Sequence, residues 1–125
     1  MSMSPKSMQR IGVVLSAIPA LMLLMSATMK LSHQPELVQG FAAFGFAESL
    51  LTPIGLVCLA CAVLYLIPQT AVLGAILVTA YLGGAVVTHV RIGDAFISPI
   101  VIGVVVWAGL YLRDPRIREL LPLRR

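Results

Sequence analysis

Four long runs of uncharged, apolar residues divide this chain, and their length constrains its fold more than any other feature. The runs cover 11–29, 50–67, 70–88 and 95–112. A helix rises 1.5 Å per residue, so each run of ~18–20 residues reaches across a hydrocarbon core of about 30 Å. Strands are disfavoured, because the runs are apolar throughout without period-two alternation, and four strands cannot close a barrel. Composition agrees: 59% of the residues are hydrophobic and 11% charged, against about 25% charged in an ordinary soluble domain. At 125 residues the chain is long enough for one domain. The reading is an all-α membrane protein, a four-transmembrane-helix antiparallel bundle. The first run has a basic start, as a signal peptide would. Its nineteen apolar residues exceed the usual h-region of roughly 7–15, so it reads as a retained helix.

Charge placement orients the bundle. Four crossings put both termini on one side, and that side carries seven of the nine basic residues: Lys6, Arg10, Arg113, Arg116, Arg118, Arg124 and Arg125. Only Lys30 and Arg91 lie opposite, so both termini are expected in the cytoplasm. The net charge of +4 is thus a matter of membrane flanks and does not point to nucleic acid. Tyr65, Trp107 and Tyr111 fall near the cytoplasmic helix ends, where amphipathic rings belong.

The connections are unequal. Pro68-Gln69 is a tight turn that makes its two helices antiparallel neighbours. The link from Val90 to Asp94 is also short. Between the first two runs lie about twenty residues, 30–49. There Pro35 can open a short helix with Ser32 or Gln34 near its cap. Leu37, Val38, Phe41 and Phe44 fall on one face of it, and Gly45 can end it. Such a segment lies in the outer interface or folds over the bundle mouth. Asp114-Pro115 sets a cap before an N1 proline, so a second short helix is expected to about Leu121. Small residues recur every fourth position at Gly12, Ser16 and Ala20, at Ala71, Ala75, Thr79 and Gly83, and at Ala80, Gly84 and Thr88. These faces serve close packing inside the bundle or contact with a homodimer or membrane-complex partner. Pro19 predicts a kink in the first helix.

No ionisable residue falls inside the bilayer core, where each would cost at least ~2.5 kcal/mol. The outer helix ends instead gather Lys30, His33, Glu36, Glu48, His89, Arg91 and Asp94. Antiparallel packing brings Lys30, Glu48 and His89 to similar depth. Two readings follow. One is an ordinary wetted interface with snorkelling side chains. The other is a polar pocket beneath Phe41, Phe44 and Phe46, whose candidate residues are Lys30, Glu48, His89, Arg91 and Asp94. In it His89 and Glu48 exchange protons with a head group while Lys30 or Arg91 steadies negative charge. Cys58 and Cys61 form a CxxC spacing, but Cys58 lies eight residues, ~12 Å, into its helix. Apolar surroundings at that depth stabilise no thiolate, so the pair reads as two small buried hydrophobes. No further ligand pair lies at that depth, and no metal is expected.

Several segments carry a resemblance. Ser26-Ala27-Thr28-Met29-Lys30-Leu31 closes the first helix. Phe44-Gly45-Phe46-Ala47-Glu48-Ser49-Leu50 leads into Pro53-Ile54-Gly55. Tyr81-Leu82-Gly83-Gly84-Ala85 leads to Thr88-His89-Val90-Arg91-Ile92-Gly93-Asp94, and Leu110-Tyr111-Leu112-Arg113-Asp114-Pro115 forms the exit. In order and spacing, from Ile11 onward, these resemble the DoxX-like family of small four-helix bacterial membrane proteins. That family takes its name from a membrane subunit of a thiosulfate:quinone oxidoreductase. The resemblance implies an inner-membrane location, a quinone-linked redox role and polar sites at Lys30, Glu48 and His89. It also exposes a departure. The family usually places an acidic residue deeper in the second helix, where this chain reads Gly55-Leu56-Val57-Cys58. Whether the chain is an enzyme stays open. The competing readings are an accessory or quinone-interacting component of a redox system, a scaffold whose basic tail recruits a partner or anionic lipid, and a small four-helix exporter. The last is disfavoured, since such exporters carry a membrane-embedded glutamate in helix one and this chain has none.

Overall fold

A computed structural model describes residues 5–124. Four long helices form the bundle: α1 (Pro5–Leu31), α3 (Leu51–Leu66), α4 (Ala71–Arg91) and α5 (Ile97–Arg113). Two short ones accompany them, α2 (Pro35–Ala43) over one end and α6 (Pro115–Leu120) at the other. Single 3-10 turns, Glu48–Leu50 and Pro68–Thr70, lead into α3 and α4. There is no strand among the described residues. The first helix begins six residues before its apolar run, because Pro5 can occupy the first turn and the basic stretch after it continues the helix beyond the lipid. It passes through Pro19 without interruption. α2 starts and stops where Pro35 and Gly45 predict, although Gln34 at its cap makes no side-chain bond.

Around the bundle the order is α1, α3, α4, α5, with α1 packed on α3 and α5, and α4 packed on the same two. Polarity is inverted relative to a soluble fold. Leu21 and Met25 on α1, Val87 on α4 and Val104 on α5 are 63%, 66%, 66% and 64% exposed, respectively. The interior meanwhile holds small residues such as Ala20, Ala27, Ala62 and Ala75, each fully buried. An exterior of this kind is stable only in lipid. α1, α3 and α4, taken with their 3-10 turns, are each long and apolar enough to cross a bilayer, and α5 is a shorter apolar helix of 17 residues. The protein is an all-α membrane bundle.

Close backbone approach replaces bulky side chains at the crossings. A Cβ added to Gly109 would stand 2.6 Å from Ser16 Oγ and 2.8 Å from its amide nitrogen. α1 and α5 therefore touch main chain to main chain. The Gly12-Ser16-Ala20 face is buried, and so are Ala71 and Ala75. The Ala80-Gly84-Thr88 face is not: Gly84 has open space where a Cβ would lie, and with Thr88 it lines a cavity.

Tyr65 differs from its expected interfacial place. It is fully buried, and its hydroxyl donates to the Val106 carbonyl at 2.6 Å and accepts from the Ser16 hydroxyl at 3.1 Å. A phenol can leave the interface when the bundle satisfies its hydroxyl, and here one ring ties α3 to α5 and α1.

Candidate functional site

The two ends of the bundle differ. At the end away from the termini, α2 and residues 44–47 fold over the bundle. Beneath them is a cavity of about 320 Å³. Its roof is Phe41, Phe44 and Phe46, with Phe41 and Phe46 meeting edge to face at 5.6 Å. Its walls include Tyr81, His89 and Lys30. Two devices hold the roof on α4. The Phe44 ring lies 4.9 Å from the His89 ring, and an Arg91 guanidinium nitrogen donates to the Phe44 carbonyl. Gly45 makes the second device possible. Its φ of +86° suits glycine, and a Cβ there would stand 2.8 Å from that same nitrogen.

Lys30 does not reach outward as a snorkelling lysine would. Its ammonium turns back along α1 and donates to Ser26 Oγ, one turn deeper. The side chain is partly buried and lies within electrostatic range of Cys58. A cation drawn inward in this way faces the cavity from below. His89 also has a defined role. Its Nδ1 lies 2.6 Å from the Ala85 carbonyl. A carbonyl can only accept, so Nδ1 carries the hydrogen, and in the neutral ring Nε2 is left with its lone pair. Tyr81, two turns before His89 on the same face, packs against the core and interacts with Cys58.

The five candidates of the sequence therefore separate. Lys30 and His89 share the cavity. Glu48 does not meet His89: its carboxylate takes His33 Nδ1 at 3.2 Å, and His33 Nε2 reaches Thr52 Oγ1 at 2.9 Å. That arrangement ties the end of α1 to the start of α3. Arg91 holds the roof, and Asp94 accepts from the Ala95 amide at 2.9 Å in the turn before α5. The sequence reading missed Ser26 and Tyr81. The available signal was spacing, since Tyr81, Ala85, Thr88 and His89 recur at helical intervals and all line the cavity. Cys58 and Cys61 are free, buried thiols in the core, and Cys58 donates to the Leu23 carbonyl at 3.3 Å.

Most of this architecture lies between residues 14 and 109, and that whole stretch matches the DoxX-like family. The chain belongs to the DoxX-like family. No curated protein and no solved structure matches it. In this DoxX-like protein the matched region holds the entire roofed cavity, while α6 and the tail lie beyond it.

The tail arginines turn toward their own chain. Arg113 donates to the Tyr65 carbonyl at 2.7 Å and lies 4.7 Å above the Tyr65 ring. Arg118 bonds the carbonyls of Tyr111 and Leu112, each at 2.9 Å. Asp114 caps α6 by accepting from the Arg116 amide at 3.0 Å, and it also pairs with the Arg116 side chain. The Arg116 guanidinium holds the Asp114 carboxyl below the usual carboxylate range, and the carboxylate in turn raises the arginine.

Proposed function

We propose that this DoxX-like protein binds a quinone-type ring in the roofed cavity and serves a membrane redox system as its quinone-interacting component. One observation carries the reading: three phenylalanine rings and the groups of Lys30, Tyr81 and His89 converge on a single cavity of about 320 Å³. That volume lies at the lower end of the range for small-molecule sites, ~300–1,000 Å³. A flat ring with two carbonyls suits such a lining. Aromatic faces stack on the ring, the Lys30 ammonium or the Tyr81 hydroxyl donates to one carbonyl, and His89 Nε2 is placed to accept a proton from a reduced hydroxyl. The inward ammonium also favours any negative charge that builds on the ring during reduction. The family resemblance supports a bacterial inner-membrane location, and the seven basic residues on the terminal side support cytoplasmic termini, with this cavity then on the outer side.

The test is direct. Protein purified in mild detergent is extracted and its quinone content quantified, for wild type and for Lys30→Met. About one quinone per chain, lost in Lys30→Met with the helices intact, is the expected result. Absence of quinone after purification, together with no saturable binding on titration with a soluble benzoquinone analogue, would overturn the reading.

A further inference from the structure

The opposite end of the bundle holds a larger cavity, about 670 Å³, that the roofed site does not use. Its origin lies in the tilt of α1. Near its end α1 leans on α3, where a Cβ on Gly55 would meet Leu31 and Lys30 at 3.1 Å. Near its start it leans on α5, where a Cβ on Gly12 would come within 2.5 Å of the Arg113 amide nitrogen. The start of α1 is therefore held toward α5, and a cavity opens between it and the α3–α4 turn.

Polarity changes with depth in this space. Val13 and Ala17 of α1, with Leu66 and Leu110, make an apolar inner wall. Arg113 and Arg116 stand at the rim. Arg113 is fixed by the Tyr65 carbonyl and ring, yet that carbonyl takes one of the five N–H donors a guanidinium carries. Asp114 grips Arg116 through Nε at 3.2 Å and one terminal nitrogen at 3.0 Å, which leaves the other nitrogen for a ligand. Asp114 is the one acid in the lining, and Arg116 already neutralises it. Lys6 precedes Gln9, a rim residue, by three positions, so it stands on the same face of α1.

We infer that this cavity is a binding site for an anionic glycerophospholipid of the leaflet that holds the termini, with the phosphate on Arg113, Arg116 and Lys6 and an acyl chain against Val13 and Ala17. A soluble anion would satisfy the rim and leave the apolar wall in contact with water. A lipid of no net charge would fill the wall and leave the positive charge of Arg113 and Lys6 uncompensated. A basic pocket between transmembrane helices at head-group depth matches both parts of an anionic lipid. The inference stands independently of the quinone reading.

Native mass spectrometry of the detergent-purified protein tests it, with phosphatidylglycerol and phosphatidylcholine of identical chains as probes. One phosphatidylglycerol per chain is expected to survive detergent removal in preference to phosphatidylcholine. Lys6→Gln and Arg116→Gln, both at exposed positions, should each reduce that preference about fivefold, and the double variant roughly 25-fold. Ala17→Phe should block the apolar wall and lower retention of both lipids. Equal retention of the two lipids in wild type would overturn the site. So would an unchanged preference in the double variant, or displacement of the lipid by inorganic phosphate alone.

Discussion

The α3–α4 crossing can be tested with a single methyl group. A Cβ at Gly74 would stand 2.3 Å from the Tyr65 amide nitrogen, 2.5 Å from its Cα and 2.6 Å from the Leu64 carbonyl carbon. All three are backbone atoms, so no rotamer change can relieve the contact. Ordinary carbon contacts lie at about 3.5–4.0 Å, and the helices would have to part by roughly 1.2 Å. Overpacking of this kind costs about 1–3 kcal/mol, and the rigid partner argues for the upper end. Alanine's better helix propensity returns roughly 0.5–1 kcal/mol. Gly74→Ala should thus destabilise the bundle by about 2 kcal/mol, a factor of about 30 in the folded-to-unfolded ratio. Gly83, on the same helix, has nothing within 4 Å of its would-be Cβ. Gly83→Ala should be neutral or slightly stabilising. Thermal unfolding in detergent, followed by helix dichroism, compares the two directly. Trp107, the single tryptophan, bonds Thr79 across the α4–α5 seam at 2.6 Å and gives a second, local signal. If Gly74→Ala unfolds at or above the wild-type temperature, or the two variants behave alike, the main-chain contact does not carry the crossing.

Three further outcomes follow from the geometry. Glu48→Gln should leave quinone titration within about twofold of wild type, since Glu48 engages His33 at an exposed pair worth about 0–1 kcal/mol; a loss equal to that of Lys30→Met would place Glu48 in the site after all. Gly45→Ala must hold φ +86° with a side chain, costing about 1–2 kcal/mol. It should loosen the roof, read as faster amide exchange over residues 41–46 with the exchange of α3 unchanged. Asp114 has a lowered carboxyl pKa in the fold, so its contribution is present above the unfolded value near 3.9 and fades as pH falls through the folded one. Docking of α6 should therefore weaken only in acid. Asp114→Asn, which keeps a capping oxygen but no charge, should remove that pH dependence from amide exchange over 115–120.

The fold was legible because lipid imposes so few solutions. Four uncharged runs, a proline-glycine frame around residues 35–45 and an Asp-Pro exit fix helix number, order and approximate ends without any long-range information. What escaped the sequence depended on partners. Tyr65 looks like an interfacial ring until Val106 and Ser16 supply hydrogen-bond partners for its hydroxyl inside the bundle. The small-residue stripes look equivalent on paper, yet one packs α1 and another, at Gly84 and Thr88, faces a cavity. Periodicity places residues on a face, but only tertiary packing decides what that face meets.

The site was legible in part for the same reason. Counting charges finds every ionisable group at the outer mouth but says nothing about direction. Lys30 is long enough to point either way from the end of α1. Outward, it would be one more snorkelling side chain; inward, bonded to Ser26, it brings a cation beneath three aromatic rings. An unpaired cation in that position is costly in lipid, and pointing it outward would remove the cost without altering α1. Of the groups at this mouth Lys30 is thus the one whose placement packing alone explains least. The acidic residue that the family resemblance leads one to expect deeper in the second apolar run is absent here, where the chain reads Gly55-Leu56-Val57-Cys58. Lys30→Met is therefore the substitution on which the functional reading turns.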